Sequence, residues 1–415
     1  MAHIALELPT IQNWSCHNCG GCCRQHAIYI TDAERERITA QGWHDLPGWP
    51  VERGVIVREG SRQRLATRED GACIFLDEQG LCRIHARFGE PAKPLACRVY
   101  PYAFHPAGAG LTVSLRFSCP SVARNLGRPV TEQVTDLQAL AQAVLPANYA
   151  GMAPPELARG QRVTWERLLE GVDALDGMLS VPHVPLGVRL QRIAVWTGLM
   201  EQAPLAALRE EQLAALIELL YAESEARVSS ERAAIPSGMG LRLFRLAVGQ
   251  YVRHDTFARK PTWRDRWDFV WWGVRFARGK GLTPTPHPRL KAVAFTDLAG
   301  TFGLVTPEME ALLTRYLRVK VQGLHLCGRA AYGESLFDGI RSLLLVISVV
   351  LYVTKWIASS GGRIQWTLDD LVEAMTIVDH NHAYSPALGT SSSLGRVRLL
   401  NTTGDLPRLL NWCGL

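Results

Sequence analysis

The sequence of 415 residues predicts an α+β protein, in which a small cysteine-rich metal-binding domain with short strands is followed by a large all-α helical domain. Two observations support this prediction. Eight of the ten cysteines fall between residues 16 and 119. Beyond about residue 128 cysteines become rare, and apolar residues recur with helical periodicity. We therefore expect one domain over residues 1–127 and a second over residues 128–415, which could divide again near residue 285.

The densest cysteine segment has the letters SCHNCGGCC and runs from Ser15 to Cys23. Cys16, Cys19 and Cys22 stand at every third position, and Cys23 follows directly. A C-x-x-C turn lets two thiolates converge on one ion or one cluster face. A run of three such thiolates is more typical of an iron–sulfur cluster than of a zinc site, which usually takes its ligands two and two. The segment therefore predicts a metal site.

Four more cysteines follow before residue 120, namely Cys73, Cys82, Cys97 and Cys119. Cys119 is a reasonable fourth cluster ligand because a Cys-Pro pair also closes the ferredoxin run, but the other three are equally open. Eight thiols exceed one four-ligand site. Either two metal sites, or one cluster and a reducible thiol pair, would account for the surplus. The histidines that could replace a sulfur are His17, His26, His85 and His105.

Two further inferences concern the thiols themselves. In an extended chain the adjacent Cys22 and Cys23 would point to opposite sides, which favours different roles for them. A disulfide framework is disfavoured, because we find no secretory signal and disulfides are rare in the reducing cytosol. Soft all-thiolate ligation favours an iron–sulfur cluster, with zinc as the alternative.

Short elements are predicted around these cysteines. Thr31 and Glu34 form a capping box that opens a helix ending near Gln41. Cys73 and Cys82 would stand on the two arms of a β-hairpin, where antiparallel pairing could bring them together. The other predicted strands cover residues 26–30, 51–57, 62–67 and 111–117.

Helical periodicity and proline-rich loops define the second part of the chain. The apolar run Leu343–Val353 has about half of the ~20 residues that a membrane helix needs, so we predict a buried core helix. His380 and His382 are expected to satisfy a helix end, and Cys327 to be a buried structural thiol. The predicted helices cover residues 131–145, 161–179, 187–203, 210–226, 239–255, 263–278, 307–321, 334–358 and 367–380.

Trp263, Trp267 and Trp271 recur at spacings of four on a helix that also carries several arginines. An amphipathic core helix is the favoured interpretation of this pattern. A partner groove or a nucleic-acid stacking surface is the alternative.

The whole-chain properties exclude some functions. The formal net charge of +6 is only a weak indication of an acidic partner. We expect a cytoplasmic protein with a protein substrate or partner, no membrane association and no nucleic-acid binding. Neither a G-x-G-x-x-G after a strand nor a P-loop motif is present, so a Rossmann methyltransferase is not indicated.

The cysteine segments resemble the CxxCxxCC family, whose members are labelled zinc- or iron-chelating. The segments that carry the resemblance are Ser15–Arg24, Cys73–Leu76, Gly80–His85 and Cys97–Pro101. Residues Ser114–Arg124 are similar to the longer branch that contains flagellin lysine N-methylases. That resemblance implies an iron–sulfur cluster, S-adenosylmethionine as the methyl donor and protein lysines as acceptors.

Arginines next to the thiols offer a secondary cofactor contact. Arg24 follows Cys23 and Arg98 follows Cys97, while Arg116 stands three residues before Cys119. Four thiolates on an iron–sulfur core leave a net negative charge, which neighbouring cations would stabilise. Arg24 and Arg98 are therefore candidates for cofactor binding around the metal ligands.

Three functional hypotheses follow. The first is a [4Fe-4S] protein that methylates a protein substrate with S-adenosylmethionine. The second is a non-enzymatic zinc- or iron-chelating or redox module with a helical partner-binding domain. The third is a structural zinc domain that supports an unrelated helical activity. The metal candidates are the same in all three: Cys16, Cys19, Cys22, Cys23, Cys73, Cys82, Cys97 and Cys119.

Overall fold

The computed structural model describes residues 4–43, 49, 54–146, 148–228, 235–254 and 262–415. About 55% of it is helical, with small sheets and short strands in the cysteine-rich part and helices in the remainder. The predicted α+β class is confirmed at this level. The strands are β1 (Leu6–Glu7), β2 (Asn13–Trp14), β3 (Tyr29–Ile30), β4 (Ile56–Glu59), β5 (Arg62–Leu65), β6 (Tyr102–Ala107), β7 (Gly110–Leu115) and β8 (Arg128–Pro129).

The described strands form small separate sheets. The strand order β1-β7-β6 combines an antiparallel β6–β7 hairpin with a parallel β1, and β2 pairs with β8. The third sheet has the order β3-β5-β4, with Ile56 opposite Leu65. The strands predicted over 62–67 and 111–117 are confirmed in β5 and β7. The strand predicted over residues 26–30 is reduced to the two residues of β3. Residues 51–53 of the strand predicted over residues 51–57 lie outside the described part.

In the described part of the chain, five short helices precede β8, and the longer helices follow it. In chain order they are α1 (Gly21–Gln25), α2 (Asp32–Ala40), α3 (Arg83–Phe88), α4 (Leu95–Val99), α5 (Pro120–Ala123), α6 (Val134–Val144), α7 (Trp165–Ser180), α8 (Leu186–Met200), α9 (Glu210–Val228), α10 (Gly238–Tyr251), α11 (Trp263–Arg278), α12 (Pro307–Gln322), α13 (Leu336–Ser360), α14 (Leu368–Asn381), α15 (Ser391–Thr402) and α16 (Asp405–Cys413). All nine long helices predicted beyond residue 128 are present; α11 has the predicted bounds, and the others have one or both ends shifted. The sequence interpretation missed α15 and α16.

The predicted capping box at α2 is confirmed. The Glu34 carboxylate accepts from the Thr31 amide at 2.8 Å, and the Thr31 hydroxyl accepts from the Glu34 amide at 3.3 Å. Glu34 also accepts from the Leu95 amide at 2.6 Å, which ties the start of α2 to the start of α4. The same capping carboxylate therefore helps to place Cys97, which lies on α4.

The predicted hairpin of Cys73 and Cys82 forms without regular strands. Single-residue bridges replace its strands: Thr67 pairs with Cys73, and Leu76 pairs with Cys82. Between the arms, the Asp77 carboxylate accepts from the amides of Gln79 and Leu81 and holds a tight turn. These local side-chain hydrogen bonds compete with strand pairing in so short a segment.

Helix α13 is the centre of the large hydrophobic core. Its residues are buried from Leu336 to Ala358, and it packs against α10, α14, α15 and α16. By length and composition this helix could cross a membrane, but its most apolar window is entirely buried inside the protein. The prediction of a buried core helix is confirmed.

The hydrophobic residues form two main cores of very different size. The small core lies among the first cysteine segments and includes Ile38, Trp43, Phe75 and Ile84. The large core covers the helices, and it also takes in Tyr102, Val113, Leu115, Phe117 and Val122. Strands β6 and β7 and helix α5 therefore connect the cysteine-rich part to the helical core.

Candidate metal centre

Two adjoining cavities collect the cysteines that the sequence singled out. The first has a volume of about 460 Å³ and is lined by Cys16, Cys22, Cys23, Cys73, Cys82 and Cys97. The second has a volume of about 610 Å³ and is lined by Cys16, Cys19, Cys22, Cys97 and Cys119. All eight candidate ligands thus face one or both cavities, and Cys16, Cys22 and Cys97 are shared. The fold brings together thiols that are up to about a hundred residues apart in sequence.

Helix α1 positions the adjacent thiols. Gly20 precedes it with φ +66°, a left-handed conformation that glycine adopts without steric cost. Because the segment is helical rather than extended, the sulfurs of Cys22 and Cys23 lie 4.0 Å apart and face the same cavity. The expectation that they point to opposite sides was wrong. Their roles can still differ, since Cys22 also lines the second cavity and Cys23 does not.

Backbone contacts hold the later cysteines against this loop. The Cys73 amide donates to the Cys23 carbonyl at 2.8 Å. Cys82 precedes α3, and Cys119 precedes α5. Gly80 packs so closely on the loop that a Cβ there would lie 2.6 Å from the Asn18 carbonyl oxygen. The first cysteine segment and the Cys73–Cys82 turn are thus one packed unit.

Four of the thiols, Cys22, Cys73, Cys97 and Cys119, have a raised pKa and hold their protons at neutral pH. Burial raises the pKa of Cys73 to about 12 and also raises the pKa of Cys119. Burial and then the nearby Cys73 raise the pKa of Cys97, whereas a hydrogen bond with Cys23 is the main cause of the raised pKa of Cys22. A metal must therefore displace protons on binding.

The cysteines of the two cavities are suitable ligands for a soft metal, and they lie near one another. Their side chains are not already arranged as a coordination shell. Among the described residues, no three histidine, cysteine or acidic side chains are already arranged to hold an ion. The described lining of the first cavity contains thiols, His26 and His85 but no carboxylate, whereas that of the second cavity includes Glu90 and Asp136 beside its five cysteines. Thiolate-rich, carboxylate-poor surroundings favour iron–sulfur clusters or zinc over magnesium or calcium.

Three of the four candidate histidines lie at the cavities. His26 lines the first, His17 the second, and His85 both. His105 does not, and its proposed substitution for a sulfur was wrong. It lies on β6, facing the helical core, with its ring 4.9 Å from that of His325.

The arginines beside the thiols have different environments. Arg24 forms an exposed ion pair with Asp70 at 3.1 Å and does not belong to either described lining. Arg98 lines the second cavity and donates to Glu90 at 3.1 Å. Their cofactor-binding role stays a prediction. Arg116 is placed differently, since its side chain lines the first cavity directly.

Beside the first cavity lie His380 and Tyr384, which the sequence interpretation did not assign to the site. The Arg116 guanidinium lies 3.7 Å from the centre of the Tyr384 ring and donates to the His380 carbonyl. The His380 ring in turn stacks on His26 with centroids 5.0 Å apart. Both histidines are kept neutral at pH 7, because burial lowers the pKa of His26 and lowers that of His380 to about 4.

Beneath this layer lies a buried ion pair. Lys320 and Asp379 are both inaccessible to solvent and approach to 2.9 Å. Asp379 also accepts from the Ser118 amide at 2.8 Å, directly beside Cys119. Burial would raise the pKa of Asp379, but Lys320 and then Arg116 outweigh it and keep the pKa low. A lysine on the apolar face of α12 was the sequence signal that could have revealed this pair.

The fold and this site define a protein with a thiol-rich candidate metal centre and a helical body. Residues 15–120 match the family model CxxCxxCC, described as a putative zinc- or iron-chelating domain. The match covers all eight cavity cysteines and supports the family predicted from the motifs. Neither the curated proteins nor the solved structures contain a significant match to the chain.

Proposed function

We propose that the chain is a [4Fe-4S] protein that transfers a methyl group from S-adenosylmethionine to a lysine side chain of a protein substrate. The observation that carries this proposal is the division of eight thiols between two adjoining cavities. A four-ligand cluster leaves thiols and space to spare. A site for a metal centre and a site for an organic molecule can therefore lie side by side.

The second cavity is the better place for the cluster. It is lined by all three cysteines of the C-x-x-C-x-x-C run together with Cys97 and Cys119. Cys16, Cys19 and Cys22 would hold the cluster, with Cys119 or Cys97 as the fourth ligand. A bound cluster supplies a one-electron redox centre to the neighbouring cavity.

The first cavity has the properties of a small-molecule site. Its volume of about 460 Å³ lies in the range typical of such sites. Its described lining joins apolar side chains such as Ile28 and Phe75 with two cations, Lys93 and Arg116, and has no acidic residue. This combination suits a ligand with an apolar part and a carboxylate, which S-adenosylmethionine has. Arg116 is the better carboxylate anchor, because a guanidinium can make two parallel hydrogen bonds.

The proposed reaction is a displacement at the methyl carbon. The neutral lysine amine forms the new nitrogen–carbon bond as the sulfur–carbon bond of the donor breaks, and the sulfur keeps the electron pair as a thioether. The amine then loses a proton to solvent. The neutral histidines His26 and His380 add no positive charge to that of Lys93 and Arg116 at this cavity.

The first experiment is anaerobic purification followed by iron and sulfide assays, visible absorbance and calorimetry with S-adenosylmethionine. We expect a coloured protein that binds the donor, with Arg116→Met weakening donor binding by about tenfold and leaving the iron content unchanged. Transfer of labelled methyl groups to a protein acceptor completes the test. A colourless protein with stoichiometric zinc would contradict the cluster, and a coloured protein without donor affinity would contradict the methyl transfer.

A second candidate function is metal chelation without catalysis, with the helical part as a partner-binding domain. The observation that favours it is the close pair of Cys22 and Cys23 sulfurs at 4.0 Å, beside further thiols in the same cavity. Such a group could take up a zinc or iron ion with release of protons. Tight metal binding together with a lack of response to S-adenosylmethionine would favour this function over the first.

A further inference from the structure

Helix α11 carries an apolar ridge that faces away from the protein. The ridge consists of Trp263, Trp267, Val270 and Trp271, whose exposed fractions are 74%, 63%, 59% and 60%. Their spacing places them on one side of the helix. The prediction of an amphipathic core helix is confirmed for the side that carries Trp272 and Phe276, but it was wrong for Trp263, Trp267 and Trp271, which are exposed.

The opposite side of α11 anchors it firmly to the helical body. Phe276 is buried and packs against Phe295 and Trp356. The Arg253 guanidinium lies 3.7 Å from the centre of the Phe269 ring. A capping box of Thr262 and Asp265 begins the helix, and Gly279 ends it in a left-handed conformation. The exposed tryptophans are thus presented by a helix with defined ends and a packed face.

Basic side chains flank the ridge on both sides. At 100° per residue, Arg264 falls on one flank of the tryptophans and Arg266 on the other, while Arg278 lies in line with the ridge near the end of the helix. All three are exposed, as is Lys280 just beyond the helix. Asp265 is engaged in the helix cap, so Asp268 is the remaining acidic residue of α11. The local charge around the ridge is therefore positive.

We propose that this face of α11 binds an anionic lipid surface. Tryptophan favours the boundary between hydrocarbon and headgroups, and interfacial helices combine an apolar face with flanking lysine and arginine. The ridge is convex and the charges lie on both flanks, so a flat anionic surface can contact the rings and the arginines at the same time.

This proposal is independent of the metal site and of the methyl-transfer proposal. The sequence led us to expect no membrane association, because its longest apolar run is too short to span a bilayer. A helix that lies in the interface needs no spanning segment.

The test measures binding of the full chain to vesicles of phosphatidylcholine with and without phosphatidylserine. We expect binding to the anionic vesicles that weakens with added salt, and quenching of tryptophan fluorescence by brominated acyl chains. Replacing Trp263, Trp267 and Trp271 by alanine should lower vesicle binding by about tenfold or more, because binding scales with buried apolar area. These side chains are exposed, so the variant should keep the wild-type circular dichroism.

The matched control replaces two exposed apolar residues elsewhere, Leu304 and Ile364, by alanine. Binding should then equal that of the wild type. The proposal is overturned if the wild type ignores anionic vesicles, if the tryptophan variant binds as well as the wild type, or if brominated lipids leave the fluorescence unchanged. It is also overturned if the ridge instead binds a single-stranded oligonucleotide and no vesicle.

Discussion

The cysteine-rich segments and helix α13 show two different ways of stabilising a fold. Around the cysteines, the small core has about ten buried residues, and one of them is the candidate ligand Cys73. Helix α13 is buried on every side over more than six turns by α10, α14, α15 and α16. The apolar area buried in a small core barely offsets the conformational entropy that is lost on folding. The area buried in a large core offsets it without a bound metal. We infer that the first region depends on its metal and the second does not.

The largest expected effect comes from breaking the metal site. Cys19→Ser should lose most of the bound metal and expose the segments around the small core to proteolysis, since metal binding by structural sites is worth on the order of 10 kcal/mol. Metal analysis and limited proteolysis measure this, while circular dichroism should report that the helical part persists.

The matched control for that variant is Cys327→Ser. Cys327 is a buried thiol outside the two cysteine cavities, as the sequence predicted. It should keep its full metal content. Metal loss from Cys327→Ser, or full metal content in Cys19→Ser, would show that the site is assigned to the wrong residues.

The next largest effect is expected where the two regions meet. Lys320→Met leaves Asp379 buried without its cation, and should lower the free energy of unfolding by about 3–5 kcal/mol. Thermal unfolding measures this loss. The double variant Lys320→Met with Asp379→Leu should recover much of it, because no unpaired charge then remains. If the single and the double variant were equally stable, the loss of stability could not be assigned to the unpaired charge of Asp379.

A third expected effect is a pH dependence of the stability, which comes from histidines buried at the helical core. Burial lowers the pKa of His105 and of His382 to about 4. Since the unfolded pKa is about 6.5, the unfolded chain binds more protons between pH 6.5 and 4, and stability falls as pH falls through that window. Each histidine contributes on the order of 3 kcal/mol of this loss at its lower end.

Denaturant unfolding at a series of pH values would measure this slope. His382→Gln should have a shallower slope over the same window, because one neutral buried histidine has been removed. An unchanged slope would mean that His382 is already protonated in the folded protein.

The smallest effect is expected at the turn that packs on the cysteine loop. Gly80→Ala should cost about 1 kcal/mol for its positive φ and a further cost from the contact with the Asn18 carbonyl, and should weaken metal binding. Gly71→Ala is the matched control, because Gly71 has nearly the same φ, +81° against +82°, but nothing within 4 Å of its Cβ position. Metal titration of both variants measures the effect of the contact with Asn18. Equal metal affinities would show that this contact does not influence metal binding.

Local patterns in the sequence were sufficient to predict a large part of the fold and of the site. The cysteine spacing identified the ligand candidates because convergent thiols need short loops. The Thr31–Glu34 capping box and the apolar run at residues 343–353 predicted a helix start and a buried helix. Each of these features is encoded within a few turns of chain. In such cases nearby residues determine the outcome.

The tertiary structure decided what depends on contacts between distant segments. Helix α11 has apolar residues on two sides, and periodicity alone does not say which side faces the body, so the exposed tryptophans were assigned wrongly. Arg116, Lys320 and Asp379 meet beneath the cysteine cavities only because β7, α12 and α14 pack together. The sequence therefore determined which residues are candidate metal ligands, and long-range packing determined what surrounds them, because burial is a property of neighbours rather than of spacing.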